Sequence, residues 1–538
     1  MSGRSAPAAL AAAVWRKTCL HVNGLAMATT IHALDRAGVL ASLAAASGPA
    51  PIAGLAAGHG LVQGYLHLGL RLMASQGWVE IIGPAGEATA QARLTPAGRA
   101  RLAALPVYAL APAALELAQG LGPWLAGGPP PPAGLTAPWR APAAPAPDGP
   151  LAEAAVQVRG ALVAAVMRQF SRLGAWEALA AGVGDPTALV ARPDAARFCL
   201  GVLAQEGWTR DQGGRFALTD EGRLAMTYAP QYYAPLSYLP TFRAAPDLLA
   251  GRACAALAPT ADGRERHLDR ALDIEFSGLV FRRTCREAFL QAVLPLFDQP
   301  DPARQPSHVV DTGCGDATLL LELYRAVAAH TRRGACLDRH PLVLVGAEFN
   351  PQARTVAQER LAASGAPHLT LFGDIGDPDG LAAELARRGA PAGGTLHVSK
   401  SVLHNRVYRP PAGRDPLPTP PPPTQGVFLD RDGGLIPPHD LARNLAETLA
   451  AWRPHAAAHG LVVIEAHSVD PALAAASRQR QIVTSLDAYH GYSHQYLVEI
   501  EVQRWAEAAA GFNAVFRRDL AQAMTGRSLM SVDFLRPA

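Results

Sequence analysis

The sequence predicts an α/β protein: a seven-stranded, doubly wound, Rossmann-like sheet with a terminal antiparallel hairpin, preceded by a mainly helical lobe. Three observations support this fold class. From about residue 275, short apolar segments alternate with amphipathic helical ones, as in a parallel sheet covered by helices. The last two apolar segments follow each other with no helix between them, which indicates an antiparallel hairpin. Before residue 275 helical periodicity dominates.

The N-terminal half contains two similar segments. GLRLMASQGWVEIIG, followed later by ARLTPAGRARL, resembles CLGVLAQEGWTRDQGGRFALTDEGRLAM. In each, an amphipathic helix ends at Gly-Trp, a short β-ribbon follows, and Thr95 or Thr219 caps the next helix. A helix followed by a two-stranded wing is the pattern of a winged helix, so we expect the lobe to contain this unit twice.

Composition indicates where the units begin and end. Residues 1–121 are predicted to form the first winged-helix-like unit, and residues 151–274 a second unit that serves as a lid region. Residues 122–150 are too rich in proline and glycine to pack a core, so they are predicted to be a linker. Residues 275–538 form the α/β core, which a second proline-rich segment, residues 409–426, interrupts.

The α/β core is predicted from its apolar segments in chain order. The predicted strands are HVVDTG, LVLVGAEFN, LTLFGDI, GGTLHVSKS, LVVIEAHSVD, NAVFRRDL and SLMSVDFLRP. Helical patterns lie between the first six of them, such as ATLLLELYRAVAAHT and EIEVQRWAEAAAGF. Strands separated by helices run parallel, and the last two strands form the hairpin.

Winged helices often bind DNA, but the two presumed recognition helices argue against this. HLGLRLMASQGW and ARFCLGVLAQEGW carry few of the cationic and amide side chains that contact phosphates and bases. We therefore expect the lobe to cap the active site or to mediate formation of a homodimer, and we expect no nucleic-acid partner.

Bulk composition narrows the setting of the protein. The net charge is +3 with 17% charged residues, so no strong field favours nucleic acid or a membrane surface. The six cysteines are scattered without a C-x-x-C pair, so the sequence predicts neither a disulfide framework nor a thiolate zinc site. No signal peptide is recognised, and no apolar run approaches the ~20 residues of a membrane span. The composition predicts a cytoplasmic protein from a GC-rich bacterium.

Acidic residues and glycines follow three successive strands. Asp311 ends the first strand and precedes Gly313 and Gly315, which let the backbone approach a ligand closely. The third glycine of a dinucleotide-binding loop is replaced by Thr318, which disfavours a pyrophosphate. Glu348 ends the second strand, where it could accept ribose hydroxyls. Asp374 ends the third strand, where it could hold an adenine.

This layout resembles the class I S-adenosylmethionine-dependent methyltransferases over roughly residues 275–538. The terminal hairpin, with AGF just before it, is also similar to the last two strands of that family. The resemblance implies that S-adenosylmethionine is the cofactor. The implied binding residues are Asp311, Gly313, Cys314, Gly315, Glu348, Phe349, Asn350, Asp374, Ile375, Ser399 and Lys400.

Polar clusters after the fourth and fifth strands are expected to face the reacting methyl group, because ligands of open α/β sheets bind at the carboxyl ends of strands. His404 follows the fourth strand and His467 the fifth, while His490, His494 and Gln495 precede the last helix. One interpretation is a histidine general base, as in a metal-free O-methyltransferase. The other is a site for a divalent metal held by imidazole, amide and carboxylate groups.

DTGCGDAT, SVLHNR and YHGYSHQYLVEIE also resemble a narrower family, the metal-dependent C-methyltransferases of polyketide starter modules, known from the apratoxin and saxitoxin pathways. The resemblance implies that His404 and Gln495 bind Fe²⁺ or Mn²⁺ together with a carboxylate. Asp377 is the first candidate for that carboxylate and Asp430 the second. The family also has a helical lobe before its methyltransferase core.

The activity that this resemblance implies is methylation at carbon. A metal-bound malonyl-type acyl group, held on a carrier protein, would lose a proton to His490, His494 or His467 and attack the sulfonium methyl. Because no carrier segment follows the core, we expect a free-standing enzyme whose acceptor is carrier-bound or another small acid. A metal-free small-molecule O-methyltransferase is the alternative. A regulator that senses S-adenosylmethionine is a third hypothesis, which the helices of low positive charge disfavour.

Overall fold

The computed structural model describes residues 6–140, 149–181, 190–213, 215–252, 257, 265–413 and 419–538. Residues 141–148 of the predicted linker and residues 414–418 of the predicted insert lie outside the described residues.

The first part of the chain is a mainly helical lobe with short ribbons. Its helices are α1 (Ala6–Arg36), α2 (Val39–Ala45), α3 (Ile52–His59), α4 (Gln63–Ser75), α5 (Pro96–Arg101), α6 (Leu105–Tyr108), α7 (Ala111–Leu125), α8 (Ala133–Thr136), α9 (Pro150–Arg172), α10 (Ala175–Ala180), α11 (Pro193–Gln205), α12 (Asp220–Thr227), α13 (Tyr233–Ser237) and α14 (Leu239–Leu249). Its strands are β1 (Ala50–Pro51), β2 (Val79–Ile82), β3 (Gln91–Leu94), β4 (Thr209–Asp211) and β5 (Phe216–Leu218). Strand β3 pairs antiparallel with β1 and β2, and β4 with β5.

The internal repeat predicted from the sequence has a structural counterpart. The side chain of Thr95 caps α5 by accepting a hydrogen bond from the Gly98 amide at 2.8 Å, and Thr219 caps α12 through Gly222 at 3.0 Å. Both tryptophans of the Gly-Trp pairs are buried. Their carbonyls accept hydrogen bonds from the amides of Thr95 and Thr219, at 3.0 and 3.1 Å. Each copy therefore folds as helix, ribbon and capped helix.

Helix α4 would be the recognition helix of the first winged unit, and the structure buries it. All its residues from Gly64 to Ser75 are buried. They pack against other helices of the lobe, and also against helices of the second part of the chain and its short strand Phe428–Leu429. A helix surrounded by protein in this way has no face free to enter a DNA groove.

The expectation that no apolar run approaches the length of a membrane span was wrong for helix α9. Its residues Pro150–Arg172 are long and apolar enough to cross a bilayer, although 61% of the apolar window is buried inside the lobe. The helix packs along α1 and α7. Such burial is typical of a core helix, and core helices can be as long and as apolar as a membrane span.

The second part of the chain contains the predicted sheet. Its helices are α15 (Arg270–Val280), α16 (Arg286–Phe297), α17 (Thr318–His330), α18 (Pro351–Ser364), α19 (Pro378–Arg387), α20 (Pro438–Trp452), α21 (Pro471–Ala476), α22 (Val483–Tyr492) and α23 (Ile500–Ala509). Its strands are β6 (His308–Thr312), β7 (Val343–Ala347), β8 (His368–Leu371), β9 (Thr395–Lys400), β10 (Phe428–Leu429), β11 (Leu435–Ile436), β12 (Leu461–Ala466), β13 (Phe512–Leu520) and β14 (Met530–Pro537). A π-helical turn, Phe281–Cys285, joins α15 to α16.

The main sheet has seven strands in the order β13-β14-β12-β9-β6-β7-β8. Strands β6, β7, β8, β9 and β12 run parallel, and β14 runs antiparallel to both β12 and β13. The predicted fold class is confirmed, including the terminal hairpin. Strands β6, β7, β9 and β12 are buried along almost their whole length because helices cover both faces, whereas β8 at the edge is only partly buried.

The two parts of the chain share one interface. Arg71 of α4 reaches into the core, where it forms an ion pair with Asp487 of α22 at 2.6 Å. Its guanidinium also donates hydrogen bonds to the hydroxyl of Ser468 and to the carbonyls of Val469 and Gln425. Arg71, Asp487, Ser468 and Val469 are all buried, and Gln425 is partly buried. The lobe is thereby fixed over the carboxyl ends of the core strands.

Candidate active site

The loop after β6 is shaped by two glycines in the left-handed region. Gly313 has φ 77° and Gly315 φ 55°. A Cβ added to Gly313 would lie 2.7 Å from the side chain of Val402, so this position tolerates no larger residue. The loop passes directly into α17. The Gly313 amide donates to the Ala347 carbonyl at 2.8 Å and the Gly315 amide to the carboxylate of Glu348 at 3.0 Å, so the turn gives a ligand close approach to the backbone rather than free amides.

Asp311 lies at the base of this loop with its carboxylate buried. Its Oδ1 has no hydrogen-bond partner among the described residues. Burial raises the pKa of Asp311 to about 8, and Lys400 opposes this shift while Glu348 adds to it. A buried carboxyl without a partner is costly to ionise, which is typical of a group that a ligand completes.

Glu348 connects the end of β7 to the glycine loop. Its carboxylate accepts hydrogen bonds from the amides of Gly315 at 3.0 Å and Asn350 at 2.9 Å. Burial raises the pKa of Glu348 in spite of these bonds. Two large aromatic side chains, Phe349 and Phe372, lie next to it with 57% and 54% of their surfaces exposed and ring centroids 5.3 Å apart. An exposed pair of aromatic side chains beside an acid at the end of a strand can stack on a flat ring of a ligand.

The remaining residues predicted to bind the cofactor are divided between this rim and the interior. The carboxylate of Asp374 accepts a hydrogen bond from the Gly376 amide at 2.8 Å and shapes the turn after β8. Cys314 is buried, and burial raises the pKa of its thiol far above the ordinary value. Ile375 belongs to the hydrophobic core, and the Ser399 hydroxyl is enclosed within the sheet. The structure thus gathers the glycine loop, Glu348 and the aromatic pair at one edge.

A cavity of about 280 Å³ opens next to this edge, at the carboxyl ends of β9 and β12. The lobe, α15, the π-helical turn and α22 all contribute to its wall. Its polar lining residues include Tyr238, Asp273, Lys400, His404, His490 and Gln495. The glycines of the loop after β6 are not part of the lining, so the cavity is a compartment adjacent to the loop.

His404 is held by a carboxylate that the sequence analysis did not identify. Its Nδ1 lies 2.6 Å from Oε1 of Glu465, which is buried on β12. Burial alone would raise the pKa of Glu465, but the neighbouring His404 outweighs it and the pKa is lowered. An ionised Glu465 accepts a hydrogen bond from the Nδ1–H of His404, which leaves Nε2 as the ring nitrogen that no described residue engages.

His490 is oriented in the same manner by the backbone. Its Nδ1 donates to the carbonyl of Leu486 at 2.7 Å, and burial lowers its pKa well below the ordinary value. The rings of His404 and His490 are perpendicular, with centroids 4.6 Å apart. Two imidazoles therefore line one cavity, each with its Nδ1 engaged.

Gln495 is positioned by a residue of the lobe. Its Nε2 donates to the hydroxyl of Tyr238 at 3.0 Å, and Tyr238 stacks on Tyr489 with ring centroids 4.6 Å apart. The Oε1 of Gln495 is buried, with no partner among the described residues. The amide oxygen is consequently an acceptor without a donor, beside two imidazoles.

The other predicted catalytic and metal-binding residues lie away from the cavity. His467 is enclosed in the sheet beside Ser531, and His494 is hydrogen-bonded to the hydroxyl of Tyr65 at 2.7 Å. Burial lowers the pKa of each to about 4. Asp377 caps α19, and Asp430 accepts hydrogen bonds within the β10–β11 turn. Both carboxylates are used by local structure, so neither is joined to His404 and Gln495.

The side chains of the cavity can be compared with the ligands that metal ions require. In the described part of the chain no three His, Cys, Asp or Glu side chains converge as metal ligands. His404, Asp273 and the amide oxygen of Gln495 nevertheless line one space. Asp273 was missed because it lies on α15, before the first strand motif. Glu465 could have been found, since it ends its strand as Asp311 and Glu348 end theirs.

Comparison with known proteins connects this geometry to two described domains. Residues 265–523 match the AprA MT2-like domain, and residues 16–81 match the AprA N-terminal domain. A 2-ketoarginine methyltransferase from Streptomyces arginensis is 33% identical over 180 residues, which are 32% of this chain and 48% of that protein. The matched region thus spans about half the length of this relative.

Solved structures with similarity to the chain include two O-methyltransferases. The mitomycin 7-O-methyltransferase MmcR shares 16% identity with a TM-score of 0.39, over 71% of this chain and 96% of its own. The O-methyltransferase NcsB1 from neocarzinostatin biosynthesis, in complex with S-adenosyl-L-homocysteine and 1,4-dihydroxy-2-naphthoic acid, shares 15% identity with a TM-score of 0.38. That match covers 70% of this chain and 96% of NcsB1.

Proposed function

Because the chain is a class I S-adenosylmethionine-dependent methyltransferase of the AprA MT2-like type, we propose that it methylates the α-carbon of a malonyl-type, carrier-bound acyl substrate. The observation that carries this proposal is the cavity beside the glycine loop. There, two imidazoles and an amide oxygen with free lone pairs lie next to a lysine. Such a set can bind a carbonyl acid and accept a proton from its carbon.

The donor side of the proposal uses residues at the ends of β6 and β7. Glu348, already fixed by the amides of Gly315 and Asn350, accepts the ribose hydroxyls of the donor. Phe349 and Phe372 would flank its adenine, and Asp311 would accept a hydrogen bond from its ammonium group. The glycine loop admits the methionine portion without a steric clash. The cavity at the end of β9, which borders this edge, would then receive the methyl group.

On the acceptor side, we propose that His404 and Gln495 hold a divalent ion such as Fe²⁺ or Mn²⁺. Asp273, one oxygen of which pairs with Arg270 at 2.8 Å and which lines the same cavity, takes the place first assigned to Asp377. The unpartnered Oε1 of Gln495 and the Nε2 of His404 fit such an ion, since imidazole nitrogens and carboxylate or amide oxygens suit borderline divalent metals. A bound ion would supply Lewis-acid polarisation of the acceptor carbonyl oxygens. Glu465 holds the His404 ring in the correct tautomer.

His490 is the proposed base. Its Nδ1 is committed to the Leu486 carbonyl and its pKa is depressed by burial, so its Nε2 is unprotonated at neutral pH. It would take the proton from the acceptor α-carbon. That carbon would then bond to the methyl group as the S–CH3 bond of the sulfonium breaks, and S-adenosylhomocysteine would leave. The walls formed by the lobe exclude water from the reacting carbon during this transfer.

The name of the curated relative widens the set of acceptors worth testing. That relative is a 2-ketoarginine methyltransferase, and 2-ketoarginine is a 2-oxo acid. A malonyl group and a 2-oxo acid share a carbon made acidic by an adjacent carbonyl. We therefore propose the broader acceptor class of enolisable carbonyl acids, with a malonyl thioester as the first member.

A metal-free O-methyltransferase is the second candidate. The hydrogen bond between His404 and Glu465 favours it, because a histidine backed by a carboxylate is the arrangement of a general base that deprotonates a hydroxyl. In that mechanism His404 would be the base. The position of the methyl group in the product, on carbon or on oxygen, distinguishes the two candidates.

The metal component is tested by analysis of protein purified without chelator. We expect about one equivalent of iron or manganese in the wild type, and loss of most of it in His404→Ala and Gln495→Ala. His439→Ala removes an exposed imidazole outside the cavity and is the matched control. Metal content that is unchanged in the two cavity variants would contradict the ligand assignment. It would leave the O-methyltransferase candidate in place.

A further inference from the structure

Lys400 is a buried cation for which the described residues provide only neutral partners. It is the last residue of β9, with 9% of its surface exposed, and it lines the cavity. Its Nζ donates to the hydroxyl of Ser277 at 2.8 Å and lies 3.5 Å from the hydroxyl of Ser401. None of the described carboxylates forms an ion pair with it. An ammonium group at such a depth needs an anion to offset its lost hydration.

The surroundings of Lys400 indicate on which side that anion binds. Asp311, Asp273 and Glu465 act on it only from a distance, and burial lowers its pKa in spite of them. Ser277, which orients the ammonium, belongs to the cavity lining, whereas Gly313, Gly315 and Glu348 of the donor edge do not. The third N–H of Lys400 therefore has the acceptor compartment within reach.

We propose that Lys400 binds an anionic oxygen of the methyl acceptor, either its carboxylate or the enolate oxygen that develops during transfer. This inference rests on the proposed function, because it requires a carbonyl acid in the cavity. A charge-assisted hydrogen bond inside a buried site is stronger than one in water, and it selects acids over neutral ketones. Ser277 acts as a positioning residue that fixes the direction of the ammonium group.

The composition of the chain allows a direct chemical test, because Lys17 and Lys400 are its only lysines. Reductive methylation with formaldehyde, followed by mass spectrometry of peptides, reports on each amine separately. We expect malonate, added with S-adenosylhomocysteine, to protect Lys400 and to leave the labelling of Lys17 unchanged. Lys17 lies in the lobe beside Glu206 and serves as the internal control.

The outcomes separate this inference from the proposed function. Protection of Lys400 by S-adenosylhomocysteine alone would assign the lysine to the donor and overturn the inference. Methylation of a malonyl thioester without protection by malonate would overturn the inference and retain the proposed function. Protection of Lys400 by malonate without methylation of any carbonyl acid would support anion binding at Lys400 and overturn the proposed function. In steady-state assays Lys400→Met should raise the KM for the acceptor at least about 30-fold, and Lys17→Met should not change it.

A second inference rests on an independent feature, the packing of α1 against α9. A Cβ on Gly24 would lie 2.2 Å from the carbonyl oxygen of Gln157, and a Cβ on Gly160 would lie 2.2 Å from that of His21. The same spacing separates Gly24 from Gly38 and Gly160 from Gly174, and the latter glycine of each pair begins the next helix in the left-handed conformation. In each close approach, a glycine of one copy (residues 1–121 or 151–274) meets the backbone of the other copy. The two contacts are therefore equivalent.

Hydrogen bonds repeat the same exchange. The hydroxyl of Tyr108, in the first copy, donates to Gln157 of the second at 2.6 Å. Tyr232, in the second copy, lies 3.1 Å from Nδ1 of His21 in the first. Contacts in which each partner gives what it receives characterise a two-fold symmetric interface. The lobe is thus a pair of winged units related by an internal two-fold axis.

We infer that the second copy occupies the place that the lobe of a partner subunit would take in a two-fold dimer. The same copy provides Gln231, Pro235 and Tyr238 to the cavity wall, so one chain completes its own acceptor site. The surfaces of α1 and α9 that the two copies bury against each other are not available to a second chain. The homodimer expected from the sequence is then unnecessary, and the functional unit is the monomer.

Light scattering coupled to size-exclusion chromatography tests this inference. We expect the mass of one chain across a hundredfold range of concentration, and a stable mass of two chains would contradict the inference. As a second measurement, His404→Ala and Tyr238→Ala chains are unfolded, mixed and refolded together, and the methyltransferase activity of the mixture is measured. Chains that share lobes would regain activity in the mixture, whereas self-sufficient chains give no recovery.

Discussion

At the scale of single residues, the site depends on buried acids that hold histidines and loops in place. Glu465 is the clearest case, because one oxygen accepts the Nδ1 proton of His404 while the other accepts the amide of Leu403 at 3.0 Å. It touches neither donor nor acceptor directly. Its effect on chemistry passes through the tautomer and orientation of His404.

Replacing Glu465 with glutamine tests that role. We expect activity to fall about 10- to 100-fold, the usual cost of removing such a supporting carboxylate. The fold and the affinity for S-adenosylhomocysteine should be retained. Glu501→Gln removes an exposed carboxylate that pairs with Arg527 and should leave turnover unchanged. Equal turnover in Glu465→Gln and wild type would show that His404 does not need this partner.

Asp311 makes a prediction about pH. Its folded-state pKa of about 8 lies above the value of about 3.9 in an unfolded chain, so folding favours the protonated form. The ligand-free protein should therefore lose stability as pH rises from about 4 to about 8. Asp311→Asn should remove this component of the pH dependence and should weaken donor binding. Thermal unfolding at several pH values checks the first effect and calorimetric titration the second.

At the scale of elements, the contact between α1 and α9 depends on the absence of two side chains. Gly24→Ala or Gly160→Ala would force these helices apart, so each should lower the free energy of unfolding by about 1–3 kcal/mol. Gly201→Ala lies within α11 with nothing near its Cβ and should be neutral or slightly stabilising. Chemical denaturation of the three variants measures the difference. Equal stability of all three would mean that the helices adjust freely.

The elements also show what the sequence could and could not predict. All seven strands of the main sheet were found, because most are short apolar runs that end at an acid, a glycine or a turn, and the partly exposed β13 follows directly after the last helix. Helix α22 was missed. Its residues Val483–Tyr492 are buried on nearly every side, so they lack the amphipathic period by which helices are recognised. The β10–β11 hairpin has two residues in each strand, too few to show alternation.

The same limit applies to the site. His404, His490 and Gln495 were found because they lie in motifs next to predicted strands or the last helix. Tyr238 and Asp273 were not, because only tertiary packing brings the lobe and α15 to the carboxyl ends of β9 and β12. The acid first assigned beside His404, Asp377, was chosen by its position in the chain. In the folded protein it caps a helix instead.

At the scale of the whole molecule, the lobe and the core are joined through Arg71. Its removal would leave the Asp487 carboxylate buried without its partner, so Arg71→Met should destabilise the protein by about 3–5 kcal/mol. Arg93→Met breaks an exposed pair with Glu80 and should change stability by no more than about 0.5 kcal/mol. Thermal unfolding compares the two. A small effect at Arg71 would indicate that the lobe is held mainly by apolar contacts.

The central claim is that this molecule places a methyl donor beside a compartment built for a carbonyl acid. The most direct measurement is incubation with S-adenosylmethionine labelled with ¹³C in its methyl group, with a malonyl thioester and a 2-oxo acid as separate acceptors, followed by NMR of the products. The account predicts a methyl group bonded to the α-carbon of at least one acceptor and absent with His490→Ala. Label found only on oxygen, or on neither acceptor, would contradict it.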